Sequence, residues 1–177
     1  MSTVSRRSGR EGRPVAVGDA VVYGAHGVGH VVALAQQQVA GTERDCVVLE
    51  LVSGLRVTLS LDEAAERLRA VADDAELENV RRTLASDGPG REGAWTKRIK
   101  ENKAKLATGR PTELAELVRD GGRIEQTNDG SRLSQAERRV YLQARDLLVR
   151  ELCSARGMDL DEAQAWIEAH IAPRRED

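Results

Sequence analysis

The sequence predicts an α+β protein, in which a small SH3/Tudor-like β-barrel or strongly bent sheet precedes an all-α helical domain. Short apolar runs separated by glycine turns occupy residues 15–59, the pattern of four or five short strands. Apolar residues at helical spacing follow, behind repeated helix-capping signals. Hydrophobic residues make up 40% of the chain, and the absence of Phe makes the expected core aliphatic.

The strand prediction rests on turn residues and on alternation. Apolar runs at 20–23, 28–35 and 45–52 are separated by glycine-containing turns. Residues 55–59 alternate strictly between apolar and polar, which predicts a strand with one buried face. An open edge of such a sheet is a natural place for a partner's strand to pair.

Six helices are predicted after the strands. Four of them begin at capping boxes, in which a Ser or Asp and the Glu three residues later cap each other's backbone N–H groups. The boxes are Ser60 with Glu63, Asp73 with Glu76, Ser134 with Glu137, and Asp159 with Glu162. The other two helices are expected at 94–107, ending at Gly109, and from Pro111 to the pair Gly121-Gly122.

These patterns divide the chain into five segments. We expect a disordered tail at 1–13, the barrel at 14–62, a helical connection and linker at 63–90, the helical domain at 91–172 and a second tail at 173–177. Since no segment has the apolar core of a secretory signal or the length to span a bilayer, we expect a cytoplasmic protein.

Charge is strongly segregated, although the net charge is only −2. Residues 43–90 carry six Lys or Arg against eleven Asp or Glu, whereas residues 91–110 carry seven against two. In the basic segment one helical stripe comprises Trp95, Ile99, Asn102 and Leu106, and the cations Lys97, Arg98, Lys100, Lys103 and Lys105 spread over the rest. The basic helix is therefore the most informative segment of the chain.

Two interpretations of this helix carry equal weight. Dense cations on a stiff element suit phosphate neutralisation, and an exposed Trp95 beside them could stack on a base or wedge into a base step. Alternatively, Trp95 anchors the core and the lysines cover a solvated face.

Catalytic and metal chemistry find little support in the sequence. His26 and His30 have a spacing that suits two metal ligands on a helix, but their glycine-rich strand context favours a turn with incidental histidines. Cys46 and Cys153 are too few for a disulfide framework or metal site. No nucleophile with a base and no phosphate-binding glycine loop is recognisable, so we predict no catalytic residue, no metal and no cofactor.

The order of the motifs resembles the CarD family of bacterial RNA-polymerase-binding transcription regulators. The sequence VGDAVVY at 17–23, followed by HGVG at 26–29, is similar to the opening of that family. WTKRIKEN at 95–102, LAELVRD at 114–120 and LSQAER at 133–138 continue the similarity, which covers about 15–171.

The resemblance implies partners and roles. It implies that a Tudor-like module binds the RNA polymerase β subunit and that the helical domain meets promoter DNA near the upstream edge of the transcription bubble. There Trp95 would wedge into the minor groove and support the open complex, with the basic residues beside it. We expect a monomer without membrane contact, associated with the nucleoid. The alternative is a protein-interaction module that docks on RNA polymerase or another partner without direct DNA contact.

Polymerase docking is assigned to the last strand and to one residue of an earlier strand. The candidates are Gln37, Arg56, Val57, Thr58 and Leu59. Gln37 and Thr58 stand where some family members have arginines, so docking is expected either to be weaker or to rest on main-chain strand pairing with Arg56 at the rim. The pair Gly121-Gly122 also departs from the family pattern and is expected to end its helix early.

Overall fold

The structure of the protein is a computed structural model that describes residues 15–88, 93–127 and 132–172. The two predicted tails lie outside these residues. The strands are β1 (Ala20–Tyr23), β2 (Val28–Val39), β3 (Thr42–Leu51), β4 (Arg56–Ser60) and β5 (Leu68–Ala70). The helices are α1 (Leu61–Arg67), α2 (Asp74–Ala85), α3 (Trp95–Thr108), α4 (Pro111–Gln126), α5 (Gln135–Arg156) and α6 (Leu160–His170), with a 3₁₀ turn at Gly24–His26. The predicted fold class is confirmed.

The strands form one antiparallel sheet in the order β4-β3-β2-β1-β5. The turn between β2 and β3 consists of Ala40 and Gly41, both with positive φ (51° and 81°), as a two-residue type I′ turn requires. A register shift between Val31 and Ala33 lets the long strand β2 bend. The sheet buries an aliphatic core that includes Val47, Leu49 and Leu59.

The helices after β5 pack around a second aliphatic core. Each predicted capping box is present, with the Ser or Asp side chain accepting from the Glu backbone N–H and the Glu side chain accepting from the cap N–H. The fully buried side chains of this core include Leu77 on α2, Leu114 on α4, Leu148 on α5 and Ile167 on α6. No described helix is long and apolar enough to cross a membrane.

The prediction that Gly121-Gly122 ends its helix is wrong, because α4 continues through both residues to Gln126. A Cβ atom at Gly121 would lie 2.5 Å from Cδ2 of Tyr141 on α5, and one at Gly122 would lie 2.9 Å from Cδ1 of Ile171. The glycines therefore allow close packing of α4, which outweighs their helix penalty of about 1 kcal/mol each.

Two buried arginines of α4 hold the chain where α2 ends. Arg119 Nη1 donates to Ser86 Oγ at 2.7 Å, and Arg123 Nη2 donates to Ser86 O at 2.8 Å. The Nε atom of Arg123 also donates to Ala172 O at 2.9 Å, near the end of the described chain. Arg119 Nη1 also donates to Thr83 O at 3.3 Å, so Arg119 and Arg123 together satisfy carbonyl groups that the end of α2 leaves without intrahelical partners.

Candidate nucleic-acid interface and docking edge

The basic helix α3 is anchored by its apolar stripe. Ile99 and Leu106 are buried and Asn102 is partly buried, so this face is held by the helical domain. The helix begins at Trp95 and ends where Gly109 adopts the left-handed conformation, with φ 63°. The predicted helix bounds of 94–107 therefore differ from the observed ones by a single residue at each end.

Trp95 lies at the surface, at the first position of α3. Its residue surface is 45% exposed, so the ring is not a core anchor. The indole Nε1 donates a hydrogen bond to the hydroxyl of Ser134 at 3.3 Å, and Ser134 is the residue that caps α5. The ring is thus accessible to solvent, and its Nε1 is hydrogen-bonded to the residue that caps a neighbouring helix.

The predicted cations separate into two groups. Lys97, Lys100 and Lys103 are exposed, and at about 100° per residue they fall within an arc of about 120° on the helix surface. Lys97 lies 3.8 Å from a carboxylate oxygen of Glu101, with both side chains largely in solvent. Such a pair is weak, so it leaves Lys97 available to other anions.

Arg98 and Lys105 lie on the opposite flank of α3 and contact carboxylates of other helices. Arg98 Nη2 lies 3.7 Å from Oε1 of the buried Glu137 on α5. Lys105 Nζ lies 2.6 Å from Glu116 Oε2 on α4, with both side chains partly buried. The structure therefore brings three of the five predicted cations together on the solvent face and directs two towards the protein.

The candidate docking strand β4 is one edge of the sheet, paired with β3 on its other side. Arg56 and Thr58 are exposed, whereas Leu59 is buried and Val57 partly buried. Arg56 Nη2 lies 3.0 Å from Glu50 Oε2 in an exposed ion pair. β4 therefore offers a partner its backbone edge and the side chains of alternate residues.

Gln37 lies apart from the other docking candidates. It pairs with Arg44 near the tip of the β2–β3 hairpin, while Thr58 pairs with Val48, whose other neighbour is Ala33. Gln37 lies four positions beyond Ala33 on β2, a distance of about 13 Å along the strand. The structure does not bring Gln37 and β4 into one patch.

A buried ion pair that the sequence did not reveal joins the sheet to the helical domain. Arg69 on β5 forms a bidentate pair with Glu151 on α5, at 2.5 Å from Nη1 to Oε1 and 2.8 Å from Nη2 to Oε2. Glu151 also accepts from the backbone N–H of Ala72 at 3.0 Å, and Arg69 Nη2 donates to Gly109 O at 2.5 Å. One guanidinium thus links β5, α5 and the end of α3.

The two histidines weighed as metal ligands have other surroundings. His26 stacks on Tyr23, with ring centroids 4.9 Å apart, and His30 lines an open groove of about 880 Å³ between the sheet and the α5–α6 pair. Among the described residues, no group of three or more His, Cys, Asp and Glu side chains is placed to hold a metal ion.

Two domain families match this arrangement of sheet and helices. A family described as CarD-like/TRCF RID domain matches residues 15–72, and one described as CarD, C-terminal domain matches residues 79–168. The chain belongs to the CarD family. The CarD-family resemblance of the sequence motifs is thereby confirmed.

A curated relative agrees with this assignment. The protein named "Putative transcription factor YdeB" from Bacillus subtilis (strain 168) is 26% identical over 144 residues, which cover 80% of this chain and 92% of that protein. The CarD family consists of non-enzymatic transcription regulators, and its RID domain interacts with RNA polymerase. This chain is therefore a CarD-like transcription regulator with an RNA-polymerase-interacting domain at residues 15–72.

Proposed function

We propose that this protein bridges the β subunit of RNA polymerase and promoter DNA near the upstream edge of the transcription bubble, and thereby modulates the stability of the open complex. In this proposal β4 pairs with a strand of the β subunit, with Arg56 at the rim of the contact. α3 meets the DNA, with Trp95 as a minor-groove wedge.

The observation that carries the proposal is the position of Trp95. A half-exposed indole at the first position of a helix can fill the gap left by a partly unstacked base step. Lys97, Lys100 and Lys103 lie on the same helix and face solvent, where they can neutralise phosphates. The ring and the cations are therefore presented on one rigid element.

Replacing Trp95 with Ala tests the wedge. We expect Trp95→Ala to shorten the lifetime of the open complex while polymerase binding stays intact, because the docking strand lies on the other module. Trp166→Phe is the matched control, since Trp166 is partly buried against the helical core and its ring contacts that of His170 at a tilt. A wild-type lifetime in Trp95→Ala would contradict the wedge.

The second candidate function is a protein-interaction module without direct DNA contact. Two of the five predicted cations, Arg98 and Lys105, already contact carboxylates of the protein, which favours this alternative. Replacing Lys97, Lys100 and Lys103 together with Gln distinguishes the two functions. If α3 contacts DNA, the negative slope of log K against log salt should become less steep by up to about 0.9 per lost phosphate contact. An unchanged slope would favour the interaction module.

A further inference from the structure

The first turns of α3 and α5 meet at the hydroxyl of Ser134. This oxygen accepts the backbone N–H of Glu137 at 3.3 Å, which caps α5, and also the indole N–H of Trp95 at 3.3 Å. A hydroxyl oxygen has two acceptor lone pairs, so it can serve both donors at once. The indole is therefore held by the same atom that starts α5.

Glu137 connects that cap to α3. Its Oε2 accepts the backbone N–H of Ser134 at 2.9 Å, and its Oε1 lies 3.7 Å from Nη2 of Arg98. The side chain of Glu137 is only 7% exposed. Low exposure makes this carboxylate dependent on its partners, because a buried charge without compensation is costly.

Arg98 completes the connection from the side of α3. Its Nη1 donates to Gly93 O at 2.5 Å, in the segment that enters the helix two residues before Trp95. The side chain is 22% exposed, and its planar fork spans Gly93 and Glu137. A guanidinium that moved out to a DNA phosphate would give up the contact with a buried carboxylate.

We infer that Arg98, Glu137 and Ser134 form a bracket that fixes the indole of Trp95 at the surface, and that Arg98 is a positioning residue rather than a phosphate contact. The inference rests on the proposed function for the role of Trp95. The bracket holds the ring in one orientation before DNA arrives, so ordering that side chain does not weaken binding.

A charge-conserving substitution separates positioning from phosphate contact. Arg98→Lys keeps the positive charge but loses the planar fork that can reach Gly93 and Glu137 together. In a Trp166→Phe background the protein has a single Trp, so one indole N–H resonance reports on the bond to Ser134. We expect Arg98→Lys and Arg98→Gln to shift this resonance and to speed its exchange with solvent.

The same two variants of Arg98 should change the lifetime of the open complex without changing the salt dependence of DNA binding. We expect both to shorten the open-complex lifetime by roughly 2- to 12-fold, the cost of ordering one freed side chain, with the salt slope of DNA binding unchanged. Lys100→Gln is the matched control on the exposed face of α3. It should make the negative slope of log K against log salt less steep by about 0.9 and leave the indole resonance in place.

Ser134→Gly provides a second route to the indole, because it removes the hydroxymethyl side chain that accepts the indole N–H, while glycine is tolerated at a helix N-cap. This variant should shift the Trp95 resonance while circular dichroism shows α5 intact. The inference is overturned if Arg98→Lys keeps the wild-type resonance and lifetime while Arg98→Gln lowers the salt slope. The Trp95 resonance is measured without DNA. It therefore tests the bracket independently of the proposed function, even if the salt slopes of the lysine variants show no DNA contact.

Discussion

The ion pair between Arg69 and Glu151 offers the sharpest test of how the sheet and the helical domain are joined. Glu151→Gln keeps the size of the side chain and removes its charge. The amide oxygen can still accept from Arg69 Nη1 and from the N–H of Ala72, as Oε1 does. The amide NH₂ group in place of Oε2 is a donor that faces Nη2 of Arg69, so the bidentate pairing is lost. Arg69 would then keep its charge beside Gly109 O without a compensating carboxylate.

The expected loss follows from the burial of the pair. Breaking a buried ion pair costs about 3–5 kcal/mol, because one charge remains without compensation. The side chains of Glu151 and Arg69 are 2% and 27% exposed, so partial hydration of Arg69 places the loss near the lower limit, at about 3 kcal/mol. For a chain of this size that corresponds to a fall in Tm of about 6–12 °C.

Thermal and urea unfolding measure this loss. Asp146→Asn is the matched control, since Asp146 lies on the same helix and pairs with Arg150 in an exposed i,i+4 contact at 2.8 Å. Pairs of that kind contribute about 0.3–0.5 kcal/mol. If Glu151→Gln destabilises the protein no more than Asp146→Asn, the ion pair does not hold the two parts together.

Two further substitutions test other contacts. Gly121→Ala should lower the free energy of unfolding by about 1–3 kcal/mol despite the better helix propensity of alanine, because the added Cβ would overlap the ring of Tyr141. Gly122→Ala should cost less, because its Cβ would overlap only the flexible end of Ile171, and equal stability of both variants with wild type would contradict the packing argument. The hydrogen bond from Arg81 lowers the pKa of Glu78 from 4.5 to about 2, so its contribution to stability is present above pH 4.5 and lost as the pH falls to about 2. The Tm difference between wild type and Glu78→Gln should therefore shrink over that interval, and a difference that does not change with pH would show that the ion pair is not its source.

Helix starts were predictable because their signals are local. In the boxes opened by Ser60 and Ser134, both members of each reciprocal pair lie within four residues. The start of α3 was also predicted to within one residue, although Ala94 provides no side-chain cap. Here the apolar spacing of Ile99 and Leu106 was sufficient, since it is set by the helix itself.

The features that sequence reasoning missed depend on distant partners. β5 has only three residues, too few to show a period, and it exists because Leu68–Ala70 pairs with β1. The glycine pair of α4 signals a helix end by propensity, but the ring of Tyr141 on another helix decides otherwise. Tertiary packing overrides local preference at both places.

The candidate site shows the same division. The sequence identified α3 and its cations, yet it could not show that Arg98 turns towards Glu137 on another helix. Glu151 gave a weak signal, as a carboxylate beside the buried Leu148 and Leu152 on α5. A carboxylate at that spacing does not identify its partner, and Arg69 lies outside the helical pattern altogether.

The two ends of α3 are held by different parts of the molecule, which matters for the proposed bridge. At the C-terminal end, a Cβ at Gly109 would lie 2.4 Å from Gly24 O of the sheet module, and the Gly109 carbonyl accepts from Arg69. The N-terminal end, with Trp95, is held by the bracket through Ser134 and Glu137 at the start of α5. The 14 residues of α3 span about 21 Å, so a tilt of about 10° at Gly109 would move Trp95 by about 4 Å.

Glu151→Gln should therefore affect the proposed function as well as stability. The substitution touches neither β4 nor the exposed lysines of α3, so polymerase binding and the salt slope of DNA binding should stay at wild-type values. A looser joint would still displace Trp95 relative to the docked sheet and shorten the open-complex lifetime, measured at a temperature where circular dichroism shows the variant folded. A wild-type lifetime, alongside the expected loss of stability, would mean that polymerase and DNA position the two parts without help from this ion pair.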